Sequence, residues 1–208
     1  AAGIAAARAI RAAGLSLEGR LDIHAVVDEE AGGFGSRAIV EGGYQAAAAL
    51  IPEPTWEVIN PTEGGAEWAR VTILGKSAHA GWRYNSIYPQ ANPMDQEPGV
   101  NAIEVGTRFL AAVQELERDW GLRKKHPLLP PGITTINPGA VVAGAGMGED
   151  GLPKTTANPA IIPDVFVADF DIKFLPTEDP REVRKEFEAF VDAFANTSDW
   201  LRDHPPKV

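Results

Sequence analysis

The stretch Gly99 to Leu122, GVNAIEVGTRFLAAVQELERDWGL, carries the clearest periodicity in the chain. Val100, Ile103, Thr107, Leu110, Val113 and Leu116 recur at helical spacing and predict an amphipathic helix that buries this face. The flanking segments have a different period. Glu67 to Leu74 alternates as a half-buried strand does, while Ile133 to Val142 and Asp164 to Leu175 read as further strands, the last with Val165, Val167, Phe170 and Ile172. Pro180 then opens a second helix whose buried stripe is Val183, Phe187, Phe190, Val191 and Phe194. Strand, helix, strand, strand, helix is a ferredoxin-like split β-α-β arrangement without its last strand. Residues 61–208 are therefore expected to form an α+β domain.

Residues 1–60 have another texture. Ala1 to Ala13 predicts a small-residue helix with Ile4, Ala7 and Ile10 on one face and Gly14 at its C-terminal end. Leu21 to Val27 is a mostly apolar run that ends at Asp28, Glu29 and Glu30. Gly32, Gly33 and Gly35 then make a turn, and Ser36 is placed to cap a short helix through Val40. A second apolar run, Ala46 to Ile51, stops at Pro52, Glu53 and Pro54. Helix, strand, helix, strand with short joints predicts an α/β fold, a piece of a doubly wound, mainly parallel sheet.

Composition removes several classes of function. The 208 residues include no Cys, which excludes disulfides, thiolate zinc sites, iron–sulfur clusters and cysteine nucleophiles. Any metal must then be held by carboxylate, imidazole or carbonyl groups. A net charge of −10 argues against nucleic acid, because affinity for a phosphate backbone comes from clustered cations. No apolar run reaches the roughly 18 residues needed to span a bilayer, and the first residues lack a signal-peptide layout, so no membrane partner and a cytoplasmic location are expected. The chain starts at Ala1 with helical periodicity already under way, which suggests a segment of a longer protein.

In open parallel sheets, ligands bind beyond the carboxyl ends of the strands, where both acidic endings here would lie. Adjacent Glu29 and Glu30 in one pocket would repel, so a site holding both must protonate one or supply a cation. A divalent metal resolves this, with one carboxylate as ligand and its neighbour as general base to a metal-bound water; a solvated acidic loop is the alternative. His79 sits in the small-residue turn Gly75-Lys76-Ser77-Ala78-His79-Ala80-Gly81, just after a strand. His24, His126 and His204 carry no assigned role. Gly146 to Gly151 matches GxGxxG, but Pro153 and Pro159 prevent the helix that a dinucleotide fingerprint requires, so a loop is expected.

Together, Val26-Val27-Asp28-Glu29-Glu30 with Gly32-Gly33-Phe34-Gly35-Ser36, Pro52-Glu53-Pro54-Thr55, the His79 turn and Gly99-Val100-Asn101-Ala102-Ile103-Glu104 resemble one family. It is the co-catalytic zinc metallopeptidase and amidohydrolase family of acetylornithine deacetylase, succinyl-diaminopimelate desuccinylase, aminoacylase and carboxypeptidase G. The resemblance runs along essentially the whole chain. It implies hydrolysis of the amide bond of an N-acyl amino acid or small peptide, with Glu29 as general base. Glu30 and Glu53 would be ligands of two metals, zinc or else cobalt or manganese. It also implies a homodimer formed through residues 61–208, in which His79 stabilises the oxyanion at the partner subunit's site and Asn158 contributes to substrate binding. Lys173 stands where the family commonly has an Arg that holds the substrate carboxylate, and a lysine lacks the bidentate fork. The family's His-x-Asp motif, bridging Asp and late ligand His have no counterpart in the chain, so the 208-residue piece alone is expected to be inactive. The rival reading is a non-catalytic dimerisation or interaction module; a glycosidase fits poorly, because adjacent glutamates cannot flank a glycosidic bond.

Overall fold

The computed structural model describes residues 1–55, 57–82 and 98–208. They form two compact units, Ala1–Ile59 and Asn60–Val208. The first holds helices α1 (Ala2–Ala12) and α2 (Phe34–Glu41). α1 is rich in alanine, the strongest helix former. It ends as expected, with Gly14 left-handed at φ 69° and the Leu15 N–H donating to the Ile10 carbonyl at 3.2 Å. α2 starts from Gly33, itself left-handed, and Ser36 lies inside the helix instead of capping it. Gly35 is needed where α2 meets the preceding segment: a Cβ there would lie 2.6 Å from the backbone N and O of Val27.

The parallel sheet expected in residues 1–60 is not seen. Leu21 to Val27 and Ala46 to Ile51 join no ladder, and no strand occurs among the described residues of this unit. An isolated extended run leaves its N–H and C=O groups without ladder partners, so apolar composition alone does not make a strand. Leu21, Ile23, Val27, Leu50 and Ile51 are accordingly half or more exposed.

The second unit runs β1 (Gly65–Leu74), β2 (Ala78–His79), a 3-10 turn (Ala80–Trp82), α3 (Ala102–Arg123), β3 (Ile136–Met147), β4 (Pro153–Thr155), β5 (Ile161–Ile162), β6 (Val165–Phe174), α4 (Pro180–Ala195) and α5 (Asp199–Asp203). The main sheet has the order β1-β6-β3-β4 with every pairing antiparallel, and β2 pairs with β5 in a separate two-stranded ladder. Placing β6 between β1 and β3 is the split β-α-β arrangement read from the sequence. On the outer edge of β1, where a last strand would lie, Thr72 and Lys207 exchange backbone hydrogen bonds of 2.8 and 2.9 Å. The three short strands β2, β4 and β5 were not expected. The GxGxxG stretch is the turn of the β3–β4 hairpin, with Gly146 and Gly151 at positive φ.

One face of the sheet is covered by the helices. Val71, Ile73, Phe166, Ala168, Phe170 and Ile172 from the strands pack with Phe109, Trp120, Phe187 and Val191 in one core cluster. Phe109 meets Phe170 and Phe194 edge-on, at centroid distances of 6.0 and 5.1 Å. α4 buries Val183, Phe187, Val191 and Phe194 as its spacing predicts. α3 is rotated from its expected phase. It buries Ala102, Val105, Gly106, Phe109, Val113 and Trp120, while Ile103 is 43% exposed and the Thr107 hydroxyl donates to its own helix at the Ile103 carbonyl. The large rings of Phe109 and Trp120 set the phase, with Gly106 letting the helix sit close on Phe166. Asn101 caps α3 by accepting from the Ile103 and Glu104 N–H groups, and Asp179 caps α4. No helix among the described residues is long and apolar enough to cross a membrane.

Candidate functional site

The His79 turn is built on close backbone approach. A Cβ at Gly75 would lie 2.1 Å from the Val100 oxygen, and one at Gly99 would lie 2.6 Å from Ile162 Cδ1. Lys76 and Val100 exchange two backbone hydrogen bonds of 2.9 and 3.0 Å across this contact. Glycine at both positions lets the segments before β2 and before α3 lie together. His79 is exposed at the end of β2, and its Nδ1 accepts from the Gly81 N–H at 3.0 Å. With the Nδ1 lone pair engaged, the neutral ring carries its proton on Nε2 and offers that N–H as a donor.

Asn158 is tied to the same ladder. Ala78 faces Ile162 and His79 faces Ile161, and the Ala80 N–H donates to the Ala160 oxygen at 2.8 Å. The Asn158 side-chain oxygen accepts from the Ala160 N–H at 3.0 Å, which leaves its amide N–H groups as the remaining donors. One two-stranded patch therefore carries both residues, and both present neutral donors.

Lys173 is elsewhere. It lies near the far end of β6, opposite Ala66, with Nζ 3.3 Å from an Asp171 oxygen. At about 3.3 Å per residue, β6 places it some 26 Å along the strand from Val165. A small molecule cannot touch both it and His79 within one chain.

In the first unit, Glu29 and Glu30 sit in a turn closed by the Gly33 N–H donating to the Asp28 oxygen at 2.8 Å, with Asp28 itself at φ 57°. Glu53 is exposed, its N–H donating to the Ile51 oxygen. No group of three His, Asp or Glu side chains able to hold a metal is present among the described residues. These carboxylates are the right donors for a divalent ion but do not by themselves form its site.

Register creates a grouping that the sequence could not display. On the sheet face away from the helices, Asp171 of β6 stands opposite Trp68 of β1 and Asn137 of β3, with Lys173 two residues on. Arg70 and Asp169 form a two-pronged pair on the same face at 2.7 and 2.8 Å, and these bonds hold Asp169 below the usual aspartate range. On the helical side, Lys124 bridges Glu178 and Glu186 at 2.8 Å each and lies 3.5 Å from the Trp120 ring centre. Burial would raise Glu186, but hydrogen bonds from Lys124, Arg123 and Trp120 outweigh it and lower its pKa. This cluster locks the end of α3 to α4 and is structural.

A family model described as the peptidase dimerisation domain matches residues 89–198. N-formyl-4-amino-5-aminomethyl-2-methylpyrimidine deformylase of Halalkalibacterium halodurans is 31% identical over 202 residues, 97% of this chain and 43% of that protein. The deformylase of the same description from Bacillus subtilis is 29% identical over the same shares. The chain thus spans less than half the length of these curated relatives. Among solved structures, a tripeptidase from Staphylococcus aureus is similar at 19% identity and a TM-score of 0.35, over 68% of this chain and 26% of that one.

Proposed function

The chain belongs to the peptidase dimerisation domain family, and on that premise we propose that it is part of a homodimeric hydrolase that releases a formyl or other small acyl group from an amine. The observation that carries this reading is the 31% identity to a deformylase along 97% of the chain, through both structural units. In this reading residues 61–208 are the lid and dimerisation domain, and residues 1–60 are the C-terminal-side piece of a catalytic α/β domain.

The geometry supports the roles. His79 Nε2–H is a neutral donor fixed by its backbone bond, suited to an oxyanion that develops as water adds to an acyl carbon. Asn158 adds an amide donor on the same patch. Since His79 and Lys173 are separated by most of β6, a dimer in which each chain lends His79 and Asn158 to its partner's site lets both ends of the strand serve a substrate. The relatives' substrate, as named, carries no carboxylate, so a lysine in place of the carboxylate-holding arginine is no obstacle. Glu29 is the proposed general base, and Glu30 and Glu53 are the carboxylates offered to a zinc, cobalt or manganese pair whose other ligands lie outside the described residues.

The test is acyl release by the native gene product from an N-formylated aminopyrimidine and a panel of N-acyl amino acids, with and without chelator. Release that chelator abolishes is expected, and His79→Ala should lower kcat by about 10²–10³-fold, the usual effect of losing an oxyanion donor. No release from any N-acyl amine would overturn the proposal in favour of a non-catalytic dimerisation module.

A further inference from the structure

We propose that residues 1–59 are a docking surface, held in the conformation described above only when a strand-bearing length of polypeptide covers it. The inference rests on the hydrolase reading and deepens it, because the carboxylates of that reading, Glu29, Glu30 and Glu53, follow the two apolar runs of this surface. Among the described residues, every buried apolar side chain belongs to the second unit and none to the first. Neither α1 nor α2 buries a residue. A chain of about 60 residues is marginally stable even with an ordinary core, because it has little interior to offset the entropy of ordering its backbone. Local contacts are present: Gly35 of α2 lies against Val27, and the His24 and Tyr44 rings meet edge-on at 5.2 Å. A core is what the unit lacks.

The two runs identify the kind of partner. Ala46 to Ile51 is apolar at six successive positions and Leu21 to Val27 at five of seven. A strand with one face in water alternates, as β1 does, whereas a run apolar on both faces suits an inner strand of a parallel sheet, flanked by strands and covered on both sides. Leu50, the most apolar side chain of the second run beside Ile51, is 86% exposed. Neither run joins a ladder among the described residues. A helix or a lipid surface laid on these runs would cover the side chains and shut water from the backbone N–H and C=O groups without pairing them. Added strands do both. The occupant is therefore polypeptide that supplies strands beside residues 21–27 and 46–51. More than half of the Halalkalibacterium halodurans deformylase lies outside its 43% match with this chain, which is length enough to supply them.

The experiment is amide hydrogen exchange, read by mass spectrometry, on the 208-residue chain and on the native gene product. In the 208-residue chain, residues 1–59 should exchange within about tenfold of unstructured rates while α3, β6 and α4 are protected. In the native gene product, residues 21–27 and 46–51 should be slowed at least about a hundredfold further. Leu50→Ala should speed exchange of residues 46–51 at least about tenfold in the native gene product, as loss of a buried leucine side chain does, and leave the urea midpoint of the 208-residue chain unchanged. Slow exchange of residues 1–59 in the dilute 208-residue chain, or fast exchange of the two runs in the native gene product, overturns the inference. Protection that grows with the concentration of the 208-residue chain assigns the surface to a second copy and overturns it too. Acyl release is scored separately. A native gene product that releases acyl groups while both runs exchange fast sinks this inference alone, whereas protected runs without acyl release sink the hydrolase reading alone.

Discussion

Gly106 offers a direct test of how α3 is seated on the sheet. It is buried in the second turn of the helix, where Ala would ordinarily be favoured by about 1 kcal/mol. Here a Cβ would fall 2.3 Å from Phe166 Cδ2 and 2.4 Å from two further ring atoms, and Phe166 is only 2% exposed. The ring would have to retreat into a packed core or the helix would have to lift. Overpacking of that kind costs about 1–3 kcal/mol, and the depth of the overlap places this case toward the upper end. Gly106→Ala should therefore lose about 1–2 kcal/mol net. Gly121 is the control on the same helix: its Cβ would meet only the Gly132 Cα, at 3.7 Å, so Gly121→Ala should gain up to about 1 kcal/mol. Urea unfolding followed by far-UV circular dichroism measures both as midpoint shifts of opposite sign. A Gly106→Ala protein as stable as the wild type, or two shifts in the same direction, would refute the claim that Phe166 dictates glycine at this position.

Two further outcomes follow from the same structure. Asn101→Ala removes a side-chain oxygen that accepts from two N–H groups at the start of α3 and should cost about 1 kcal/mol by thermal or urea unfolding, most of it restored by Asp at that position. Asp169 has a pKa lowered by its hydrogen bonds from Arg70, so the pair adds stability above the ordinary aspartate value and loses it as pH falls through the lowered one. Because both side chains are about half exposed, that contribution should stay below about 1 kcal/mol. Stability measured from about pH 6 down to about pH 2 should show Arg70→Gln weaker than wild type at the upper end and converging with it at the lower.

What the sequence disclosed and what it hid divide along physical lines. The stripe Val183, Phe187, Val191 and Phe194 was legible because the apolar residues of α4 fall on one face only. In α3 apolar residues occur on more than one side, so spacing alone could not choose between Ile103 and Phe109; ring volume made the choice. The order of strands and helices in the second unit followed from the alternation of periods. The apolar runs of the first unit have the composition of strands but pair with nothing among the described residues, and pairing is a property that a local window does not contain. At the site, the small-residue turn singled out His79. The reason for Gly75 and Gly99, and the bond that keeps the ring proton on Nε2, emerged only from the backbone contacts.

Lys173 shows how a departure from a pattern acquires meaning once its neighbours are known. In the sequence it is an imperfect substitute for arginine, a point charge where a fork would grip a carboxylate. In the structure its partner is Asp171, and the same sheet face displays the alternative two residues earlier, where Arg70 occupies both oxygens of Asp169. A fork at position 173 would engage Asp171 in the same two-pronged way and close it. A single ammonium reaches one oxygen and leaves Oδ1 buried and without a hydrogen bond. Lysine at this position therefore holds Asp171 through one oxygen only, the single-pronged counterpart of the Arg70–Asp169 pair on the same face.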